Sequence, residues 1–173
     1  MEPFPEMVIK PMKIQVSHLE SLPITARAEI PTAWLDEMKH MNVMWYTHLF
    51  SHATVGFFDR VGMSREYFLT KLAGSFALEA HIKYFAEVHA GWNVTLRTRF
   101  LGRSAKRFHF MHFLSIDEDD VLSATGEMVS THVDLRVRRS SPFPPEIAAA
   151  YDALLGEHRQ LAWEAPVCGS MGP

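Results

Sequence analysis

Apolar and polar residues alternate in four stretches across the second half of the chain. Leu78, Ala80, Ile82, Tyr84, Ala86 and Val88 alternate with Glu79, His81, Lys83, Phe85 and Glu87. Trp92, Val94, Leu96, Thr98 and Phe100 alternate with Asn93, Thr95, Arg97 and Arg99. Phe108, Phe110, His112, Leu114 and Ile116 form a third face, and Val121–Asp134 a fourth, with Val129 and Val133 on one side. A period of two marks half-buried strands. A short strand is predicted earlier, over Ile24–Ile30, ended by Pro31. Gly102–Ala105 and Asp117–Asp120 supply turn chemistry between neighbouring strands. No helical pattern separates the four later strands, so they are expected to pair as antiparallel neighbours.

One long segment breaks the rule of two. Met44–Val61 is too long for a typical strand and holds no proline; its polar marks are chiefly His48, Ser51, His52 and Asp59. A helix apolar over most of its circumference must be buried on nearly all sides. Gly62 stops it, Ser64 caps a short helix over Arg65–Leu72, and Gly74 is expected to close that one. After Pro142, Pro144 and Pro145, a last helix is predicted over Glu146–Gln160, with Ile147, Tyr151, Leu154 and Leu155 at helical spacing. The expected fold is therefore α+β, a curved five-stranded antiparallel sheet wrapped around one long central helix. Residues 1–22 read as an N-terminal arm, 23–145 as the domain, and 146–173 as a C-terminal helix and flexible tail.

Composition changes this picture little. The chain has 173 residues, enough for one ordinary domain with its own core. A net charge of −3 argues against a general nucleic-acid binder. The single cysteine, Cys168, permits no intrachain disulfide and fits a reducing compartment. The first residues, Met1-Glu2-Pro3-Phe4-Pro5-Glu6, lack the basic and apolar regions of a secretory signal. No run of about 18 apolar residues suggests a membrane span. A cytoplasmic location is expected.

Candidate chemistry lies just ahead of the long helix, in Asp36-Glu37-Met38-Lys39-His40-Met41-Asn42. A helix start offers free N–H groups and the positive end of its dipole. A carboxylate beside such donors is the minimum equipment for hydrolysing an acyl bond, because the donors can hold the developing oxyanion. Asp36 is also a natural turn or cap residue. Asn42 reads first as the helix N-cap, a role that also fixes the N–H groups of Val43 and Met44. His40 orients Asp36, touches substrate, or is a hydrogen-bonded structural histidine. His48 and His52 have the i, i+4 spacing of paired metal ligands, but no third ligand is evident in the sequence, and no metal is expected. Glu79, with His81, Lys83 and Glu87 on the same strand face, reads first as an exposed polar face and only second as a candidate base.

The segment Asp36–Asn42 followed by Val43-Met44-Trp45-Tyr46 resembles a motif of the hot-dog-fold acyl-CoA thioesterases, in the 4-hydroxybenzoyl-CoA thioesterase branch. That motif runs Asp, two residues, Gly-His, an apolar residue, then Asn before the central helix. Glu79-Ala80-His81-Ile82-Lys83-Tyr84, Gly91-Trp92 and Pro142-Phe143-Pro144 extend the resemblance, which covers residues 24–145. Lys39 stands where the family has Gly, a residue that usually permits positive φ. The resemblance implies an acyl-CoA thioesterase with Asp36 as general base or nucleophile and the N–H groups of Val43 and Met44 polarising the carbonyl. It implies no cofactor beyond the coenzyme A of the substrate, and a homodimer or homotetramer with the site near the subunit interface. Arg103, Lys106 and Arg107 on a hairpin, with Arg136, Arg138 and Arg139 as a second group, could hold the coenzyme's phosphates. Trp34, Trp45 and Tyr46 could line the acyl pocket and favour an aromatic or quaternary-ammonium acyl group of betainyl type. The rival readings are a hot-dog enoyl-CoA hydratase or dehydratase and a non-catalytic acyl-CoA-binding module. The spacing of Asp36 and His40, and the absence of Asn-Pro between them, count against the hydratase.

Overall fold

The structure is a computed structural model that describes residues 14–173; most of the expected N-terminal arm, residues 1–13, lies outside the described residues. In chain order the elements are α1 (Val16–Leu19), β1 (Ile24–Glu29), a 3-10 turn (Thr32–Trp34), α2 (Val43–Arg60), α3 (Arg65–Lys71), β2 (Ala73–Tyr84), β3 (Asn93–Arg103), β4 (Arg107–Ile116), β5 (Val121–Asp134), β6 (Arg139–Ser140) and α4 (Pro145–His158). Five antiparallel strands lie in the order β1-β3-β4-β5-β2, with the two-residue β6 paired to the end of β5. The sheet curls around α2, as the hot-dog pattern requires.

The pairing differs from the simple meander in one respect. β3, β4 and β5 are consecutive neighbours, but β2 pairs with β5 rather than with β3. Alternation reports which face a residue occupies and says nothing about which strand lies alongside. Residues 85–92 carry the chain across the end of the sheet, turning at Gly91 with φ +81°. This crossing is tied down by Met41 N–H donating to the Val88 carbonyl (2.8 Å), Gly91 N–H to Ile30 (2.7 Å) and Ile30 N–H to Trp92 (2.9 Å). It thereby runs beneath the Asp36 segment. β2 also begins earlier than its alternation suggested: Gly74 lies inside the strand, and α3 is closed instead by Leu72 in the left-handed region, φ 52°.

The central helix buries one face, not its whole circumference. Tyr46, Leu49, Phe50, Ala53, Phe57 and Phe58 pack on the sheet, the Leu and Phe side chains each contributing roughly 1.5–3 kcal/mol when fully buried. On the other side Val43, Met44 and Val55 are about 60% exposed, beside exposed Thr47, His48, Ser51 and His52. The helix thus has a second face, mixed in character, that this one chain does not cover. Gly56 marks the closest approach of helix to sheet, because a Cβ would fall 2.1 Å from the Thr25 carbonyl oxygen.

A polar line crosses the otherwise apolar core. The Thr54 hydroxyl lies 2.9 Å from the Phe50 carbonyl, to which it donates, and 2.9 Å from His112 Nε2. With its proton committed, Thr54 accepts from Nε2–H, so Nδ1 of His112 accepts from the Thr98 hydroxyl (2.7 Å), and the Thr25 hydroxyl shares its one proton between Thr98 (2.8 Å) and the Leu96 carbonyl (3.3 Å). Burial holds the His112 pKa down, from 6.5 to about 3. Burial also lowers His132 and His158. In each case the folded pKa lies below the unfolded one, so the unfolded chain takes up protons that the native chain refuses. Stability is therefore expected to fall as pH drops below about 6.5, with His112 alone removing about 2 kcal/mol by pH 5. Urea midpoints measured from pH 8 to 5 check this; a midpoint that is flat to pH 5 contradicts it.

The segment after α4 is packed, where a loose tail was expected. Arg99, on the outer face of β3, is 7% exposed. It donates to the carbonyls of Trp163 (2.6 Å) and His158 (3.2 Å), and its guanidinium lies 4.3 Å from the Trp163 ring centre. Leu161, Trp163 and Ala165 join Ile14, Leu19 and Leu22 in a small apolar cluster against Met111, Phe113 and Leu122. Both ends of the described chain thus cover the sheet's outer face.

Candidate active site

Asp36 sits on a tight hairpin closed by the Leu35–Met41 bridge. Asp36 N–H donates to the His40 carbonyl (2.9 Å), and Lys39 N–H to the Asp36 carbonyl (3.1 Å). Lys39 has φ 71°. This is the left-handed conformation for which a Gly would be the easy choice, and Lys adopts it without glycine's freedom. The Asp36 carboxylate is divided in use. Oδ1 accepts Met38 N–H at 2.8 Å and His40 N–H at 3.4 Å. Oδ1 thus anchors the side chain, and Oδ2 makes no hydrogen bond among the described residues.

Asn42 caps α2. Its Oδ1 accepts Met44 N–H at 3.0 Å, and its own N–H donates to the Trp34 carbonyl at 2.9 Å. The cap resolves the expectation that Val43 and Met44 both offer free donors. Met44 N–H is satisfied by Asn42, whereas Val43 N–H has no partner among the described residues. A helix start leaves its first N–H groups unbonded, and here the cap takes one and leaves its neighbour.

His40 is turned toward the crossing segment. Its Nε2 is 2.9 Å from Glu87 Oε2, and its ring meets His89 edge-on with centroids 5.1 Å apart. Glu87 thus holds the ring that was considered as an orienter of Asp36. Glu87 and His89 were missed as neighbours of the site because they follow β2 by a turn away from the strand. The Val88–Met41 bond, with those of Ile30 to Gly91 and Trp92, brings them alongside.

The aromatic residues divide. Trp34 and Trp45 stack at 4.4 Å with 9° between planes, and His48 meets both rings edge-on. Both tryptophans are half-buried at the mouth of the hairpin. Tyr46 is only 4% exposed; its hydroxyl is 3.3 Å from Ser123, and its ring meets Tyr84, so it belongs to the core and does not line a pocket. Burial pushes its pKa up. His48 and His52 face each other at 4.5 Å between ring centres. They form no group of three candidate metal ligands among the described residues.

The basic hairpin stands apart from Asp36 within one chain. The crossing segment meets the start of β3, whereas Arg103 ends that strand. Eleven residues at about 3.3 Å each place it some 30–35 Å along the sheet. Arg103 is already engaged, donating to both Asp152 oxygens at 2.8 and 2.6 Å. Lys106 and Arg107 are exposed beside it. Glu79 is exposed on β2.

A family description, the Thioesterase-like superfamily, matches residues 30–151. The chain is 33% identical to a betainyl-CoA thioesterase of Pseudomonas aeruginosa over 128 residues, covering 74% of this chain and 80% of that protein. The structure of a candidate thioesterase from Pseudomonas putida KT2440 is 32% identical, with a TM-score of 0.72 over 88% of this chain and 96% of that one. A hypothetical protein from Staphylococcus aureus, solved in complex with CoA, superposes with a TM-score of 0.75 at 21% identity, over 83% of this chain and 90% of that one. The chain belongs to the Thioesterase-like superfamily of hot-dog fold. It is a thioester hydrolase of the acyl-CoA class. No helix among the described residues is long and apolar enough to cross a membrane.

Proposed function

We propose that the substrate is a small acyl-CoA with a quaternary-ammonium acyl group, of the betainyl kind, and that Asp36 is the general base. The observation that carries the role of Asp36 is the division of its carboxylate, with Oδ1 fixed by two backbone N–H groups and Oδ2 unpartnered. In this reading Oδ2 takes a proton from water as the water oxygen attacks the thioester carbonyl. The carbonyl oxygen gathers negative charge and accepts Val43 N–H at the positive end of the helix. The tetrahedral intermediate then expels the CoA sulfur, which leaves as thiol once it regains a proton. No cofactor is required beyond the CoA of the substrate.

The acyl preference rests on the 33% identical betainyl-CoA thioesterase and on the half-buried Trp34–Trp45 pair, whose rings attract a cation. Assembly follows from uncovered surface. β2 lies at one edge of the sheet, 12 residues long, with Phe76 40% and Leu78 46% exposed. A long apolar edge invites strand pairing, and a two-fold partner joined there would also cover the open face of α2. Lys106 and Arg107 would then serve a neighbouring subunit's CoA phosphates. A cytoplasmic setting suits this reading.

Thiol release tests the proposal, with betainyl-CoA, its uncharged carbon isostere 3,3-dimethylbutyryl-CoA and 4-hydroxybenzoyl-CoA as substrates. A cation–π contribution of about 0.5–2 kcal/mol predicts a kcat/KM advantage of roughly 2- to 30-fold for the cation over its isostere. Light scattering on the active species should give at least twice 19.8 kDa. Equal turnover of the isosteres removes the cation preference, and a fully active monomer removes the shared interface.

A further inference from the structure

On the outer face of the sheet, away from the Asp36 hairpin, four side chains from separate segments converge. Glu127 on β5 is 1% exposed. His81 on β2 is its direct cross-strand partner. His109 on β4 places Nε2 2.9 Å from Glu127 Oε1. The C-terminal tail closes over them: Cys168 N–H donates to Glu127 Oε2 at 2.7 Å, and Lys83 Nζ donates to the Pro166 carbonyl at 3.1 Å. A ring nitrogen of His81, a carboxylate oxygen of Glu127 and the Cys168 sulfur all lie within 4.8 Å of one another.

Both Glu127 oxygens are hydrogen-bonded, and two further features point to a cation. First, a buried carboxylate calls for compensating positive charge, yet no Lys or Arg pairs with Glu127 among the described residues. Second, His81 Nδ1 stands 3.8 Å from Glu127 Oε2. That is too long for a hydrogen bond. It is close to the separation of two ligands on one tetrahedral ion, roughly 3.3–3.8 Å when metal–ligand bonds are about 2.0–2.3 Å.

We infer that His81, Glu127 and Cys168 form a binding site for a zinc-class divalent cation that clasps the C-terminal tail to the sheet. One imidazole, one carboxylate and one thiolate are a borderline-soft donor set that suits Zn²⁺ or Co²⁺ over Mg²⁺ or Ca²⁺. His109 is the outer-shell partner that orients the ligating carboxylate from its other oxygen. The Ser170 hydroxyl, 3.2 Å from Cys168 Sγ, supports the sulfur. Binding deprotonates the thiol, and that proton passes to solvent. Water completes the fourth position. The ion joins β2, β5 and the tail, so its first effect is on the order of residues 166–171.

The test uses the full chain, stripped with a chelator and kept reduced with a phosphine. Zn²⁺ is titrated by calorimetry and Co²⁺ by absorption. One equivalent of each is expected, with a thiolate-to-cobalt charge-transfer band in the near ultraviolet and slower amide exchange at residues 167–171. Cys168→Ser lies in the tail and leaves the core intact. It should abolish the band and weaken Zn²⁺ about tenfold or more, with the circular dichroism spectrum unchanged. His81→Gln should weaken it comparably. Failure of the wild-type chain to bind a stoichiometric ion overturns the inference. So does binding that Cys168→Ser leaves within about threefold and His89→Ala removes, since the ion then sits at His40, Glu87 and His89.

Discussion

Asp36→Asn is expected to lower turnover by about two to four decades, the usual loss when an acid–base group is removed. The substitution is nearly silent structurally. The new amide oxygen can accept Met38 N–H and His40 N–H as Oδ1 does now, so the hairpin and its left-handed Lys39 keep their shape. What changes is the second position, where an amide nitrogen replaces the unpartnered oxygen and can neither take a proton nor attack. The loss should therefore fall on kcat with little change in melting temperature. Near wild-type thiol release by the folded Asp36→Asn variant would remove Asp36 from the chemistry.

Val43→Pro is the sharper test of the oxyanion role, because it deletes one N–H and almost nothing else. Val43 is the first residue of α2, the position where a helix tolerates proline best. Asn42, with φ −60° and ψ 141°, already has the extended backbone that a following proline demands. The N–H removed has no partner among the described residues, and the Val43 side chain is 61% exposed. Stability should hardly move. Turnover should fall about a hundred- to a thousand-fold, the loss associated with one oxyanion donor. Val43→Ala, which keeps the N–H, should retain activity. Equal kcat in Val43→Pro and Val43→Ala refutes the assignment.

These two positions were legible because local chemistry speaks in sequence. Asp36 and Asn42 stand at turn and cap positions that only a few residue types fill well. The strand faces followed from a period of two, and the central helix appears within a residue at each end of Met44–Val61. Contacts between distant segments were not legible. Alternation cannot say that β2 lies beside β5. For the same reason Glu87 and His89 could not be seen beside His40, nor Asp152 on Arg103. Met44 was read as a free donor because a cap's presence is visible in sequence, whereas the particular N–H it engages depends on its side-chain rotamer. The open face of α2 was read as buried because apolar character alone does not distinguish a core contact from an exposed surface.

The line of hydroxyls and imidazole from Thr25 through Thr98 and His112 to Thr54 has a mechanical consequence for the site. Greasy contacts between α2 and the sheet are forgiving, since a helix slid along its axis would still bury phenylalanines. The polar line is not forgiving. A slip of one turn, about 5.4 Å, would carry Thr54 away from His112 and leave its buried Nε2–H without an acceptor, at about 1–3 kcal/mol. It works as an indexing pin that admits a single axial setting of the helix. The far end of that helix is Asn42 and Val43, so the pin also fixes how far the first N–H stands from Asp36.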